Sequence, residues 1–153
     1  MPPEDPVPTA EAKKILIVED DKSSLLALAQ MVQSAGYTVI TAGDSADAIR
    51  TFELELPDLM LVDIDLRGEN IGQALDGLGM IDWLNYRHPD HRIKYIIVSP
   101  DDPEKHQGRA AAIGASCFIQ KPFEMDLLLA EIRRAIGEPL DQCQPGTANP
   151  EPQ

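Results

Sequence analysis

Five short apolar runs alternate along the chain with five stretches whose apolar residues recur at helical spacing. The runs cover residues 15–18, 37–42, 59–62, 95–98 and 117–119. Each is too short for a helix and is bounded by turn or charged residues, so each predicts a strand. Between them, Leu25, Leu28, Ala29, Val32 and Ala35 line one helix face, closed by Gly36 as its C-cap. Ala48, Ile49, Phe52 and Leu56 line a second, with Ser45 as its cap and Pro57 as its stop. A third helix is predicted over residues 77–86, and a fourth from Pro103 to Gly114. The fifth carries Met125, Leu128, Leu129, Ile132 and Ile136 on one face.

The third run, Leu59-Met60-Leu61-Val62, passes without alternation into Asp63. A continuous apolar strand is one covered on both faces, as in a parallel sheet. Strands and helices in strict alternation make a doubly wound α/β domain, and five of each fit the flavodoxin-like strand order 2-1-3-4-5. That order places its switch point between strands one and three. Glu19 and Asp20, after the first run, would there face Asp63, after the third, with Ser99 and Lys121 on the same rim.

The 153 residues suit one domain. The proline-rich, acidic residues 1–12 read as a disordered lead-in, residues 13–137 as the domain, and residues 138–153 as a proline-rich tail. A net charge of −13 argues against direct contact with nucleic acid or an anionic membrane. No apolar stretch is long enough to span a bilayer, and residues 1–12 lack a signal peptide's character. Cys117 and Cys143 form neither a disulfide framework nor a zinc spacing. The expected location is the cytoplasm. His88, His91 and His106 read as loop or surface residues.

Three carboxylates meeting at one crevice repel one another unless a cation joins them. An all-oxygen donor set suits Mg²⁺, which keeps water positions that a phosphate can take. Lys121 adds positive charge and Ser99 a hydroxyl, both suited to phosphoryl oxygens. A carboxylate can itself accept a phosphoryl group, and Asp63 is the candidate acceptor.

The motifs ILIVEDD, PDLMLVDIDL, DGL (Asp76-Gly77-Leu78), IIVS and GASCFIQKPF, spread from Lys14 to Ile136, resemble the receiver domain of bacterial two-component response regulators. The resemblance implies Mg²⁺ binding by Glu19, Asp20 and Asp63, with a backbone carbonyl from Asp65. It makes Asp63 the phosphoacceptor, Lys121 the phosphate-binding lysine, and Ser99 and Phe118 the switch pair. It also implies a cis Lys121-Pro122 bond. The partners implied are a sensor histidine kinase or histidine phosphotransfer protein and a downstream protein. Homodimerisation through helix four, strand five and helix five is a further possibility that the family raises. Such a module has no enzymatic turnover beyond phosphoryl transfer and autodephosphorylation at Asp63.

The chain departs from that pattern in four places. The segment 67–76 is long for a βα connection, which makes it either a tolerated insertion or a partner-contact or lid element. Asp65 adds a carboxylate beside the acceptor, and Pro100 removes a backbone donor after Ser99. Phe118 lacks the hydroxyl of the commoner tyrosine. Two other functions compete. One is a degenerate receiver that binds partners without phosphorylation. The other is a haloacid-dehalogenase-like phosphohydrolase, whose D-x-D motif Asp63-Ile64-Asp65 resembles. In that family the nucleophile sits on the first strand, whereas here an acid pair precedes it.

Overall fold

The apolar run before Asp63 forms the central strand of a parallel sheet, buried at every position. In the computed structural model, residues 12–64 and 76–139 are described. The elements are β1 (Lys14–Val18), α1 (Lys22–Ser34), β2 (Thr38–Ala42), α2 (Ser45–Glu55), β3 (Leu59–Asp63), α3 (Gly77–Arg87), β4 (Lys94–Ser99), α4 (Pro103–Ala112), β5 (Cys117–Gln120) and α5 (Met125–Ile136). All neighbouring strands run parallel, in the order β2-β1-β3-β4-β5. The doubly wound flavodoxin-like fold is therefore as predicted.

Alternate side chains of the strands feed two cores. Leu16, Val18, Met60, Val62 and Ile97 pack with Phe52 of α2 and with Leu78, Ile81 and Leu84 of α3. Ile15, Ile17, Leu59, Leu61 and Ile96 pack on the other face with Leu28 and Val32 of α1 and Leu128 and Ile132 of α5. Burying each such side chain contributes about 1.5–3 kcal/mol. The two-sided burial explains why β3 shows no polar alternation.

Several local expectations need correction. Asp44, not Ser45, caps α2: its carboxylate accepts from Asp47 N at 2.7 Å. Ala35 is the C-cap of α1, and Gly36 follows it at φ +107°. Leu56 is not on the buried face of α2. It closes that helix in the left-handed conformation and is largely exposed, because the chain must turn there toward Pro57. Met125 opens α5 and is also exposed, so Leu128 and Ile132 anchor that helix.

Contacts are also present close to both expected ends of the domain. Ala12 already takes part in a β-bridge, and Lys13 N donates to Pro139 O at 2.6 Å. Residues 1–11 and 140–153, and the connection 65–75, lie outside the described residues.

Candidate functional site

The carboxyl ends of β1, β3, β4 and β5 open on one side of the sheet, where strand and helix connections leave a crevice. Val18 pairs with Val62, so Glu19 and Asp63 leave adjacent strands side by side. Both are buried, Asp20 is half-buried, and oxygens of all three lie within 4.8 Å of one another. Lys121 enters from the end of β5, and its Nζ reaches Glu19 Oε1 at 2.9 Å and Asp63 Oδ2 at 3.3 Å. One ammonium thus bridges two buried carboxylates.

That arrangement carries an electrostatic cost. Burial pushes the Glu19 carboxyl up to about 7. The hydrogen bond from Lys121 opposes this, while the neighbouring Asp63 adds to it. Burial lowers Lys121, but its hydrogen bond to Glu19 and the charge of Asp63 outweigh that and leave it raised. A divalent cation would relieve the remaining repulsion, and the donor set is of the hard oxygen type that Mg²⁺ takes. The residues present fit such an ion.

Ser99 ends β4, fully buried, with Lys121 N donating to its carbonyl at 2.8 Å. Its Oγ accepts from Asp101 N at 3.0 Å. The Lys121-Pro122 peptide is cis. Phe118 sits half-buried on β5 against the α2/α3 core. Asp65 lies outside the described residues, as does the rest of the long connection. Glu19, Asp20, Asp63 and Lys121 are thus brought together, Ser99 ends a strand on the same rim, and Phe118 stands apart.

Two contributors were not assigned a role from the sequence. Gly77 opens α3 directly beneath Asp63: a Cβ there would lie 2.5 Å from Asp63 O and 2.8 Å from Val62 Cγ1. Only glycine permits that approach. The DGL motif marked the position without giving the reason. The other is His106, which belongs to α4 and not to a loop. Its ring stacks on Phe118, with centroids 6.0 Å apart and planes 15° from parallel. Helix periodicity alone could not place it there.

The profile of the response regulator receiver domain matches residues 15–133. The chain belongs to this family. The receiver is similar to the nitrogen assimilation regulatory protein NtrX of Azorhizobium caulinodans, with 31% identity over 82% of this chain and 26% of that protein. It is also similar to the alkaline phosphatase synthesis transcriptional regulatory protein PhoP of Bacillus subtilis, with 32% identity over 81% of this chain and 48% of that one. It therefore spans about a quarter to a half of these relatives. Among solved structures, a CheY-like receiver domain protein from Methanospirillum hungatei superposes with a TM-score of 0.72 at 26% identity, covering 82% of this chain and 94% of that one. The receiver domain of NtrX from Brucella abortus gives 0.70 at 30%, covering 80% and 97%. The receiver is a signalling module of the two-component type. Among the described residues no helix is long and apolar enough to cross a membrane.

Proposed function

We propose that residues 13–137 form a phosphorylation-dependent switch in which Asp63 accepts a phosphoryl group from a phosphohistidine. The observation that carries this reading is the buried Glu19–Asp63 pair bridged by Lys121 Nζ. It is a poor arrangement for stability and a good one for attracting a divalent cation, which together with Lys121 would then face phosphoryl oxygens. Glu19, Asp20, Asp63 and the Asp65 carbonyl would hold Mg²⁺, which when bound neutralises carboxylate charge and draws phosphoryl oxygens to the site. An Asp63 oxygen attacks phosphorus in line, the bond to the donor imidazole nitrogen breaks, and the phosphoryl group passes to the carboxylate. Lys121 moves its ammonium from carboxylate to phosphoryl oxygen, and the Ser99 hydroxyl donates to another.

The donor is a sensor histidine kinase or a histidine phosphotransfer protein. An open groove of about 550 Å³ on the far pole is lined by Lys13, Arg92 and Lys94 and holds no part of the acidic cluster. A second groove, about 440 Å³, adjoins Lys121 and is floored by Leu28, Met31, Pro100, Pro122 and Phe123. The second suits a donor helix, because apolar packing there brings its histidine to the rim. Output passes to a downstream protein through the α4–β5–α5 face, which is also the surface for a homodimer, and the setting is the cytoplasm. Asp65→Asn changes the dephosphorylation rate, and equal rates would remove Asp65 from this account.

The test is intact mass after incubation with Mg²⁺ and acetyl phosphate. One added phosphoryl group, lost in Asp63→Asn and in the metal-free sample, supports the switch. No adduct in any sample, with acetyl phosphate and with a phosphorylated histidine donor alike, favours a phosphorylation-independent interaction module.

A further inference from the structure

Phe118 has no hydroxyl, so it cannot hydrogen-bond to the Ser99 loop as a tyrosine can. A different connection is present. Asp101 N donates to Ser99 Oγ at 3.0 Å. The Asp101 carboxylate, through Oδ2, accepts from His106 Nε2 at 2.9 Å. The His106 ring lies nearly parallel on Phe118. The path runs from the end of β4, through the first turn of α4, to the middle of β5.

We infer that His106 is a positioning residue that couples the Ser99 hydroxyl to the Phe118 ring through the Asp101 carboxylate. The physical reason lies in how each link constrains the next. The Asp101 N–H is anchored on Ser99 Oγ, so displacement of that oxygen moves the Asp101 backbone. The Asp101 side chain is half-buried, and its bond to His106 passes the displacement to the imidazole. A stacked ring responds to sliding of its partner, because an offset-parallel pair loses contact area when one ring shifts. Ser99 Oγ can keep accepting from Asp101 N while donating its own proton elsewhere, so the relay survives engagement of the hydroxyl. Its role as a signal rests on the phosphoacceptor reading above. The coupling itself belongs to the unmodified protein.

The experiment is a double-substitution cycle read by NMR on protein carrying ¹³C-labelled phenylalanine, of which the chain has three. Ser99→Ala is expected to move the Phe118 ring resonances in the wild-type background. In a His106→Ala background the same change is expected to shrink by roughly two-fold or more, since coupled residues are non-additive. His106→Phe keeps a ring on Phe118 but has no hydrogen bond for Asp101, and is expected to lose the coupling while preserving the Phe118 environment. Equal Ser99→Ala shifts in all three backgrounds would overturn the inference. Coupling that persists in His106→Phe would overturn it too, by assigning the effect to packing alone. A parallel sample with Mg²⁺ and acetyl phosphate reports Asp63 modification by mass. Failure there and with a phosphorylated histidine donor alike removes the phosphoacceptor reading, while the cycle still decides the coupling.

Discussion

Two aspartates bracket β3, and their surroundings differ in kind. Asp58, just before the strand, has its carboxylate on Lys14 N at 2.8 Å, its own N–H on Lys14 O and its carbonyl on Lys94 N. Every one of these bonds ties β3 to a neighbouring strand. Asp63, at the other end, lies beside a second buried carboxylate and shares one ammonium with it. The first aspartate satisfies the backbone and stabilises the fold. The second is held in a repulsive cluster that the fold must offset elsewhere, the setting of the proposed phosphoacceptor. The same residue type at the two ends of one strand thus separates structure from function by its partners.

The largest expected effect breaks the comparison at its functional end. Asp63→Asn abolishes the phosphoryl adduct in the mass assay. Without Mg²⁺ it also raises unfolding stability by about 1 kcal/mol in urea titrations, because one of three clustered carboxylates is gone. A loss of stability instead would mean that the cluster is structural. Gly77→Ala comes next. Its Cβ must displace the Asp63 carbonyl and Val62, costing about 3 kcal/mol and slowing acetyl phosphate uptake. Normal uptake at normal stability would show that the close approach is dispensable.

Asp58→Ala tests the structural end. Leaving Lys14 N without its carboxylate costs about 1–2 kcal/mol, while the adduct forms as in the wild type. Impaired phosphorylation in a folded Asp58→Ala protein would dissolve the distinction between the two poles.

The smallest effects are pH slopes of opposite sign. Glu19 is raised from 4.5 to about 7 in the folded state, so its contribution is fully present below pH 4.5 and lost as pH rises through about 7. His91 is lowered by burial and then by His88, so its contribution is present above 6.5 and lost as pH falls through its depressed folded value. Metal-free Glu19→Gln is therefore expected to flatten the decline in melting temperature toward pH 7, leaving the acid limb in place. Mg²⁺ affinity rises over the same interval as Glu19 gives up its proton, and calorimetry in two buffers reads the proton released. A pH-independent affinity would remove Glu19 from the metal site.

Much of this was legible in the sequence because β1, β3 and β4 are covered on both faces, so their apolar runs stand out from the helical spacing between them. The rim followed from strand order, since each strand hands its next polar residue to the same side. What stayed hidden depends on contacts between distant segments. Asp44 displaced Ser45 as the cap because an acid one position earlier reached Asp47 N first. Leu56 and Met125 fit a helical spacing, yet each sits where its helix ends or begins, beyond the sheet's cover. His91 reads as a loop residue, but Nδ1 accepts from Ile93 N and Nε2 reaches Asn85 and the Tyr95 hydroxyl, a half-buried network that no local pattern encodes. His106 over Phe118 is of the same kind: it requires the register of α4 against β5.

The bond between Lys13 N and Pro139 O brings the first and last described backbone segments together at the amino ends of β1 and β2, opposite the acidic rim. This placement makes the fold a natural candidate for circular permutation. A short linker could join the two segments, and new ends could be opened at a surface connection without reaching the crevice. It also means that a fluorophore or fusion partner joined beside either segment would ride on the far pole, leaving the approach to Asp63 clear.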